Sequence, residues 1–310
     1  MDVVLVGHMV KEVIRFQDGR TVGPVLGSPV AYGSLMARSL GAEVGVVSIV
    51  GSDMPGNLLD PLRVSGVNLD GLAMETGPVT TTTELVYDHD GNKEVRYTQK
   101  ARPISLADIP ANFFSAKAVS IATMDYDVPL EVIRQICRIR QFPPLLAVDL
   151  GGYGGAHARK DSSSEGRRLD ATQELVSCFD VVRGSVEDCA LLFGTEQVTD
   201  EVSQHKIVHS FLDWGAKIAV MTRGEKGALV GTPQGVLLIP TEPGEVIDTT
   251  GAGDVFLASF LVQFVQSGDV EQAMRFATAA TTHVIERTGG AHPARMPSRA
   301  EVTARLNRTR

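Results

Sequence analysis

The chain is poor in cysteine, in basic charge and in long apolar runs, and each shortage excludes a class of protein. Only Cys137, Cys178 and Cys189 occur in 310 residues. They form no CxxC and leave one over if two pair, so neither a disulfide framework nor a zinc ribbon is supported. A reducing, cytoplasmic setting is the expectation. Lys and Arg number 29 against 37 Asp and Glu, a formal net charge of −8. Polyanion binding relies on clustered Lys and Arg, so a nucleic-acid surface is not expected. The most apolar late run, VFLASFLVQFV, is shorter than the ~20 residues a bilayer span needs. The opening MDVVLVGHMV carries Asp2 and lacks a basic n-region and a small-residue cleavage site, so neither a membrane span nor export is indicated. Hydrophobic residues still make up 43% of the chain, enough for a large core, and the expected partner is a small molecule.

What is present is a rhythm. Short β-branched runs alternate with longer stretches of helical period, the pattern of βαβ units and a parallel sheet. Strands are predicted at 3–6, 44–50, 118–122, 145–150, 179–182 and 217–222, and helices near 29–40, 56–65, 129–140, 167–177, 186–193 and 203–214. Two stretches break the rhythm. Residues 9–25 hold an Asp18-Gly19 turn between extended segments, and residues 79–99 hold TTTTELVYD and KEVRYTQ around DHDGN. Both read as hairpins, forming either a small sheet that projects from the main domain or edge hairpins of the main sheet. HARKDSSSEGRR, 157–168, reads as a mobile surface loop.

The chemistry concentrates in VIDTTGAGDVFLASFLVQF, 246–264. Apolar residues at 256, 257, 260, 261 and 264 recur at helical spacing, so a buried helix starts close to Gly251. The first turn of a helix leaves backbone N–H groups without partners and carries the positive end of the helix dipole. It is a place for an anion. Gly251, Ala252 and Gly253 have little or no side chain, so a phosphate can come close to the backbone. Asp254 stands beside it. A carboxylate next to a bound phosphate suffers repulsion unless it has a task, such as accepting a hydroxyl proton as that oxygen attacks phosphorus. For a bare GAGD, the plain alternative is a Gly-rich turn into a core helix, with Asp254 favouring the helix start.

DTTGAGDVFLASFL, 248–261, resembles the second signature of the pfkB or ribokinase family of carbohydrate kinases at nearly every position. Ser259 departs, standing where that family usually has Ala or Gly. LGSPVAYGSLMARSLGAEVGVVSIVGSDMPG, 26–56, is similar to the family's first signature region, with Gly27-Ser28 in place of a Gly pair and Tyr32 where many members carry Asn. The resemblance extends over most of the chain. It implies a ribokinase-like three-layer α/β/α sandwich with a mostly parallel central sheet and a small β-sheet lid. On that basis residues 1–310 form a single kinase domain, with lid hairpins from about 9–25 and 79–99.

The same resemblance implies roles, residue by residue. MTRGEKG, 221–227, looks like the family's TxGxxG stretch, so Thr222, Gly224 and Gly227 are expected at the nucleotide phosphates. RGSVEDC, 183–189, lies where the family has NxxE, which puts Ser185 beside ATP and Asp188 near Mg²⁺. Glu12 stands where the family presents an Asp to sugar hydroxyls, with Lys11 as the alternative, and Gly27 and Ser28 join it on the substrate. RTGGAHPARMP, 287–297, resembles a loop that, with Asp248, Thr250 and Gly290, holds a potassium-like cation; Ala294 stands where a polar residue could help. The implied activity is transfer of the γ-phosphoryl of ATP to a hydroxyl of a sugar or inositol-like polyol. A nucleoside kinase and a catalytically silent ligand-binding relative are the alternatives. Dimerisation through the lid is implied as well.

Two further patterns carry less. His205 and His209 are one helical turn apart but lack a convincing third ligand, so a surface helix is the better reading. GGYGGA, 151–156, has neither GxGxxG spacing nor a P-loop Lys, and reads as a cleft lining or a turn.

Overall fold

Val3–Val6, four β-branched or leucine residues in a row, form strand β1, buried on both faces. A strand so apolar is stable only where helices cover both sides of its sheet. The computed structural model of the chain describes residues 1–15, 19–87, 93–139, 145–158, 169–193, 198 and 200–308. After β1 come β2 (Val10–Arg15), β3 (Thr21–Gly27), α1 (Pro29–Ser39), β4 (Val44–Gly51), α2 (Gly56–Val64) and β5 (Asn68–Glu75). The middle of the chain holds β6 (Thr82–Tyr87), β7 (Lys93–Gln99), β8 (Ala118–Ile121), α3 (Leu130–Ile139), β9 (Leu145–Asp149) and α4 (Leu169–Ser177). Then follow β10 (Val181–Ser185), α5 (Val186–Leu192), α6 (Glu201–Asp213), β11 (Ile218–Thr222), β12 (Ala228–Thr232) and β13 (Gly235–Ile239). The last elements are α7 (Ala252–Ser267), α8 (Val270–Ile285) and α9 (Arg299–Arg308).

Nine strands pair in the order β13-β12-β11-β10-β9-β8-β1-β4-β5. Pairing is parallel from β11 to β5 and antiparallel from β11 through β13. Val3 lies opposite Val44 on one side and Ala118 on the other. The chain therefore winds outward from β1 in both directions, and ligands in such sheets collect at the strands' carboxyl ends beside the reversal. One apolar core joins α1, α7 and α8 to one face of the sheet, while a second joins α3 and α6 to the other. These are the three layers expected.

The two hairpins pair with each other, in the order β3-β2-β6-β7, as a separate four-stranded sheet. They are not edge hairpins of the large sheet. Asp18, the turn 88–92 and residues 159–168 lie outside the described residues. Strand β10 begins at Val181, two residues after the predicted start; Asp180 leads into it, its amide donating to Leu146 O and its carbonyl accepting from the amides of Lys217 and Ile218, each at 2.9 Å. The Asp180 carboxylate adds a tie between these neighbouring strands, accepting from the amide of Leu146 on β9 at 2.9 Å. No described helix is long and apolar enough to cross a membrane.

Candidate active site

Gly251 adopts a left-handed conformation, φ 78°, and caps helix α7; the first helical bond runs from the amide of Val255 to its carbonyl at 3.0 Å. The helix thus starts where its apolar period predicts. A Cβ on Gly251 would overlap the Tyr32 ring, and one on Gly253 would stand 2.6 Å from Nη1 of Arg183. Both glycines are needed because a ring and a guanidinium lie directly on this turn. By its position in the first turn, Gly253 has no acceptor within the helix for its amide. Asp254 follows on the same turn, half-buried, and lies within electrostatic reach of Arg183 and Tyr32.

Arg183 joins three strand ends. From the end of β10 its Nη1 donates to Asp149 Oδ2 on β9 at 2.7 Å, and its Nη2 donates to Thr222 Oγ1 on β11. Asp188 Oδ2 lies 3.8 Å away. Burial alone would lower the Arg183 pKa, but Asp149, Asp188 and Asp254 outweigh it and hold the guanidinium above its ordinary value. Its Nε is buried without a hydrogen-bond partner. A cation desolvated among carboxylates thus lies directly against the start of α7.

Ser185 and Asp188 close a capping box at the start of α5. Ser185 N and Oγ donate to Asp188 Oδ2 at 2.8 and 2.7 Å, and Ser185 Oγ accepts from Asp188 N at 3.0 Å. Asp188 Oδ1 accepts from Ala156 N at 2.9 Å, so the Gly-rich stretch 151–156 packs on this carboxylate. Burial would raise the Asp188 pKa, yet Arg183 and these donors keep it below the ordinary carboxylate range. Among the described residues no three His, Cys, Asp or Glu side chains gather as a metal cage. Thr222, Gly224 and Gly227 form the turn from β11 to β12, with both glycines at positive φ and Arg223 N donating to Gly227 O at 2.8 Å.

On the other wall, Glu12 is buried on β2, accepting from Thr83 Oγ1 of β6, and a Cβ on Gly27 would meet its carboxyl at 3.1 Å. Ser28 carries a positive φ of 104° and caps α1, accepting from Ala31 N at 3.3 Å. Lys11 points to the opposite face of the strand and pairs with Asp53 at 2.8 Å. Tyr32 stands between the walls. Its ring covers Gly251, and burial followed by the neighbouring Glu12 charge pushes its hydroxyl pKa far up. Asp248 and Gly290 belong to the loops behind this ring, where Arg295 Nη2 donates to Asp248 O at 2.7 Å.

The structure therefore gathers Gly251–Asp254, Thr222, Ser185 and Asp188 around Arg183, with Glu12, Gly27 and Ser28 across Tyr32. Sequence reasoning placed Arg183 among the strand-end residues that can converge on one cleft but gave its charge no role, and it passed over Asp149 and Arg295. For Arg183 and Asp149 there was a signal, since each is a charge within an otherwise apolar strand run, VVRGS and LLAVD. Arg295 had none.

The profile of the pfkB family of carbohydrate kinases matches residues 2–297, and the chain belongs to that family. It is a kinase, a phosphotransferase with an alcohol group as acceptor. The chain is 28% identical to a cytidine kinase of Thermococcus kodakarensis over 93% of this chain and 98% of that one. Among solved structures, Arabidopsis thaliana ribokinase complexed with ribose and ATP aligns with a TM-score of 0.78 at 21% identity, covering 98% of each chain. A pyrophosphate-dependent kinase of the ribokinase family, complexed with a pyrophosphate analog and myo-inositol, aligns at 0.77 and 23% identity over 94% of this chain and 98% of that one.

Proposed function

We propose that the chain transfers the γ-phosphoryl of ATP to a hydroxyl of a sugar or inositol-like polyol, with Asp254 as general base and an anion hole at 251–254. One observation carries this reading. A carboxylate stands in the first turn of a helix whose two start glycines lie under a buried guanidinium and a tyrosine ring.

The acceptor hydroxyl sits between Asp254 and the transferring group. As its oxygen bonds to phosphorus, its proton passes to Asp254 and the bond to the ADP oxygen breaks. The amides of 251–254 and the Arg183 guanidinium stabilise the charge on the three equatorial oxygens. Ser185, Thr222, Gly224 and Gly227 line the path of the donor phosphates, and Glu12, Gly27 and Ser28 orient the acceptor. Magnesium bound with the donor would supply charge screening; among the described residues no three His, Cys, Asp or Glu side chains gather to cage it, and Asp188, which accepts from Ser185 and Ala156, would act on it through water. The small sheet closes over the acceptor and keeps out water that would otherwise take the phosphoryl.

A nucleoside acceptor is the second reading, favoured by the likeness to the cytidine kinase. Phosphoryl transfer is to be screened with ATP and with pyrophosphate over pentoses, hexoses, inositols and nucleosides. Turnover with a sugar or polyol is expected, and Asp254→Asn should lower kcat by roughly 10²- to 10⁴-fold without unfolding the protein. Turnover with nucleosides alone would establish the second reading. None with any acceptor would leave a silent relative.

A further inference from the structure

The loops that the family resemblance assigns to a monovalent cation do not fit one. Asp248 has three oxygens, and the chain itself engages all of them. Its carbonyl accepts from Arg295 Nη2 at 2.7 Å, its Oδ1 accepts from Thr250 N at 2.9 Å, and its Oδ2 lies 3.4 Å from Arg295 Nη2. The Gly290 carbonyl accepts from His292 N at 3.0 Å. A potassium ion needs several such oxygens turned toward one point, and here the three of Asp248 and the Gly290 carbonyl are turned toward N–H groups.

Arg295 is built in rather than resting on the surface. Its side chain is 1% exposed, its Nε donates to Val284 O at 3.1 Å at the end of α8, and its Nη1 is buried with no hydrogen-bond partner. A full positive charge is therefore held permanently behind the anion hole. It reaches the hole by two routes. Along the chain, Asp248 and Thr250 lead directly into Gly251. Through space, the guanidinium lies 5.8 Å from the Tyr32 ring, which covers Gly251.

From this disagreement we infer that Arg295 stands in for the cation: it is a positioning residue that holds the 248–251 turn and supplies fixed positive charge there, so phosphoryl transfer by this chain does not depend on potassium or any other monovalent ion. A tethered guanidinium loses less freedom than a captured ion and cannot be diluted away. The inference rests on the kinase reading for its consequence in the reaction, but the contacts that exclude an ion do not.

The test has a part that needs no turnover. Thallium(I) NMR titration of the whole protein should show no saturable site in the wild type, and should reveal one in Arg295→Met once Asp248 is released. A saturable site in the wild type would overturn the inference even if no acceptor is ever found. With an active acceptor in hand, the wild-type rate should be equal in potassium and choline chloride at one ionic strength. Arg295→Met should lose roughly 100-fold in kcat in choline, the scale of a misplaced catalytic turn. Potassium or guanidinium ion should restore part of it, which a merely structural role would not allow. Strong stimulation of the wild type by potassium, or full activity of a folded Arg295→Met in choline, would refute the stand-in role. Absence of turnover with every acceptor would instead count against the kinase reading, while the thallium result would still decide the cation question.

Discussion

Two arginines are buried on either side of the start of α7, and they are held in opposite ways. Arg183 is surrounded by side chains, with Asp149 at 2.7 Å and Thr222 at the ends of β9 and β11 and Asp188 at 3.8 Å in the first turn of α5. Arg295 is held largely by backbone, the carbonyls of Val284 and Asp248, inside loops that follow α8 and precede α7. A guanidinium among carboxylates at the carboxyl ends of the strands keeps charge at the cleft. One among carbonyls keeps a turn in shape. The first should therefore matter to stability and to the charge of the cleft together, and the second to the shape and charge of the 248–251 turn.

The largest effect expected is on Arg183. Arg183→Met strands Asp149 and Asp188 without their cation, which should cost roughly 3–5 kcal/mol in chemical denaturation. Adding Asp149→Leu should recover much of that stability but none of the activity. If the single variant is as stable as the wild type, the contrast between the two arginines fails. Next come the glycines. Gly251→Ala must place a side chain at φ 78° and into the Tyr32 ring, whereas Gly253→Ala needs only the Arg183 guanidinium to move. Both should lose activity, and Gly251→Ala should lose more stability, by about 1–3 kcal/mol from the backbone alone. Equal melting temperatures for the two would show that the ring yields as easily as the guanidinium.

Smaller effects concern the neck of the small sheet. His8 is 1% exposed, and its ring nitrogens face Thr81 Oγ1 at 2.9 Å and Arg102 O at 3.0 Å. Burial lowers its pKa below the ordinary ~6.5 despite Asp127 nearby. Folding therefore favours the neutral ring, and its contribution is complete above the ordinary value and lost as pH falls below it. His8→Gln should flatten the decline in stability between pH 6.5 and the depressed value. An unchanged slope would remove His8 as the cause. Asp53 behaves in the complementary way. Burial raises its pKa, but the Lys11 and Thr80 hydrogen bonds hold it at about 2. Its contribution is present above the ordinary ~3.9 and lost as pH falls toward 2. The stability gap between wild type and Lys11→Met should close over that acid range and stay constant at neutral pH.

The start of α7 was legible because three small residues interrupt the sequence just before an apolar period of helical spacing. The six predicted strands were legible as β-branched runs. Strand β5, with Asn68, Asp70 and Gly71, lies at one edge of the large sheet and carries a weaker pattern, since an edge strand needs less apolar surface. Helix α8 was missed because FATAATTHV spreads Ala and Thr around the helix, and its burial comes from close packing on α7 rather than from a stripe of large side chains.

The sequence by itself determined the class of fold, the place where a buried helix starts on small residues and the carboxylate beside that start, because each depends on the order of neighbouring residues. Only the tertiary structure decided which charges are held against that place. Arg183 meets Asp149 across 34 positions and Arg295 meets Asp248 across 47, and contacts that close through folded sheets and loops leave no local pattern to read.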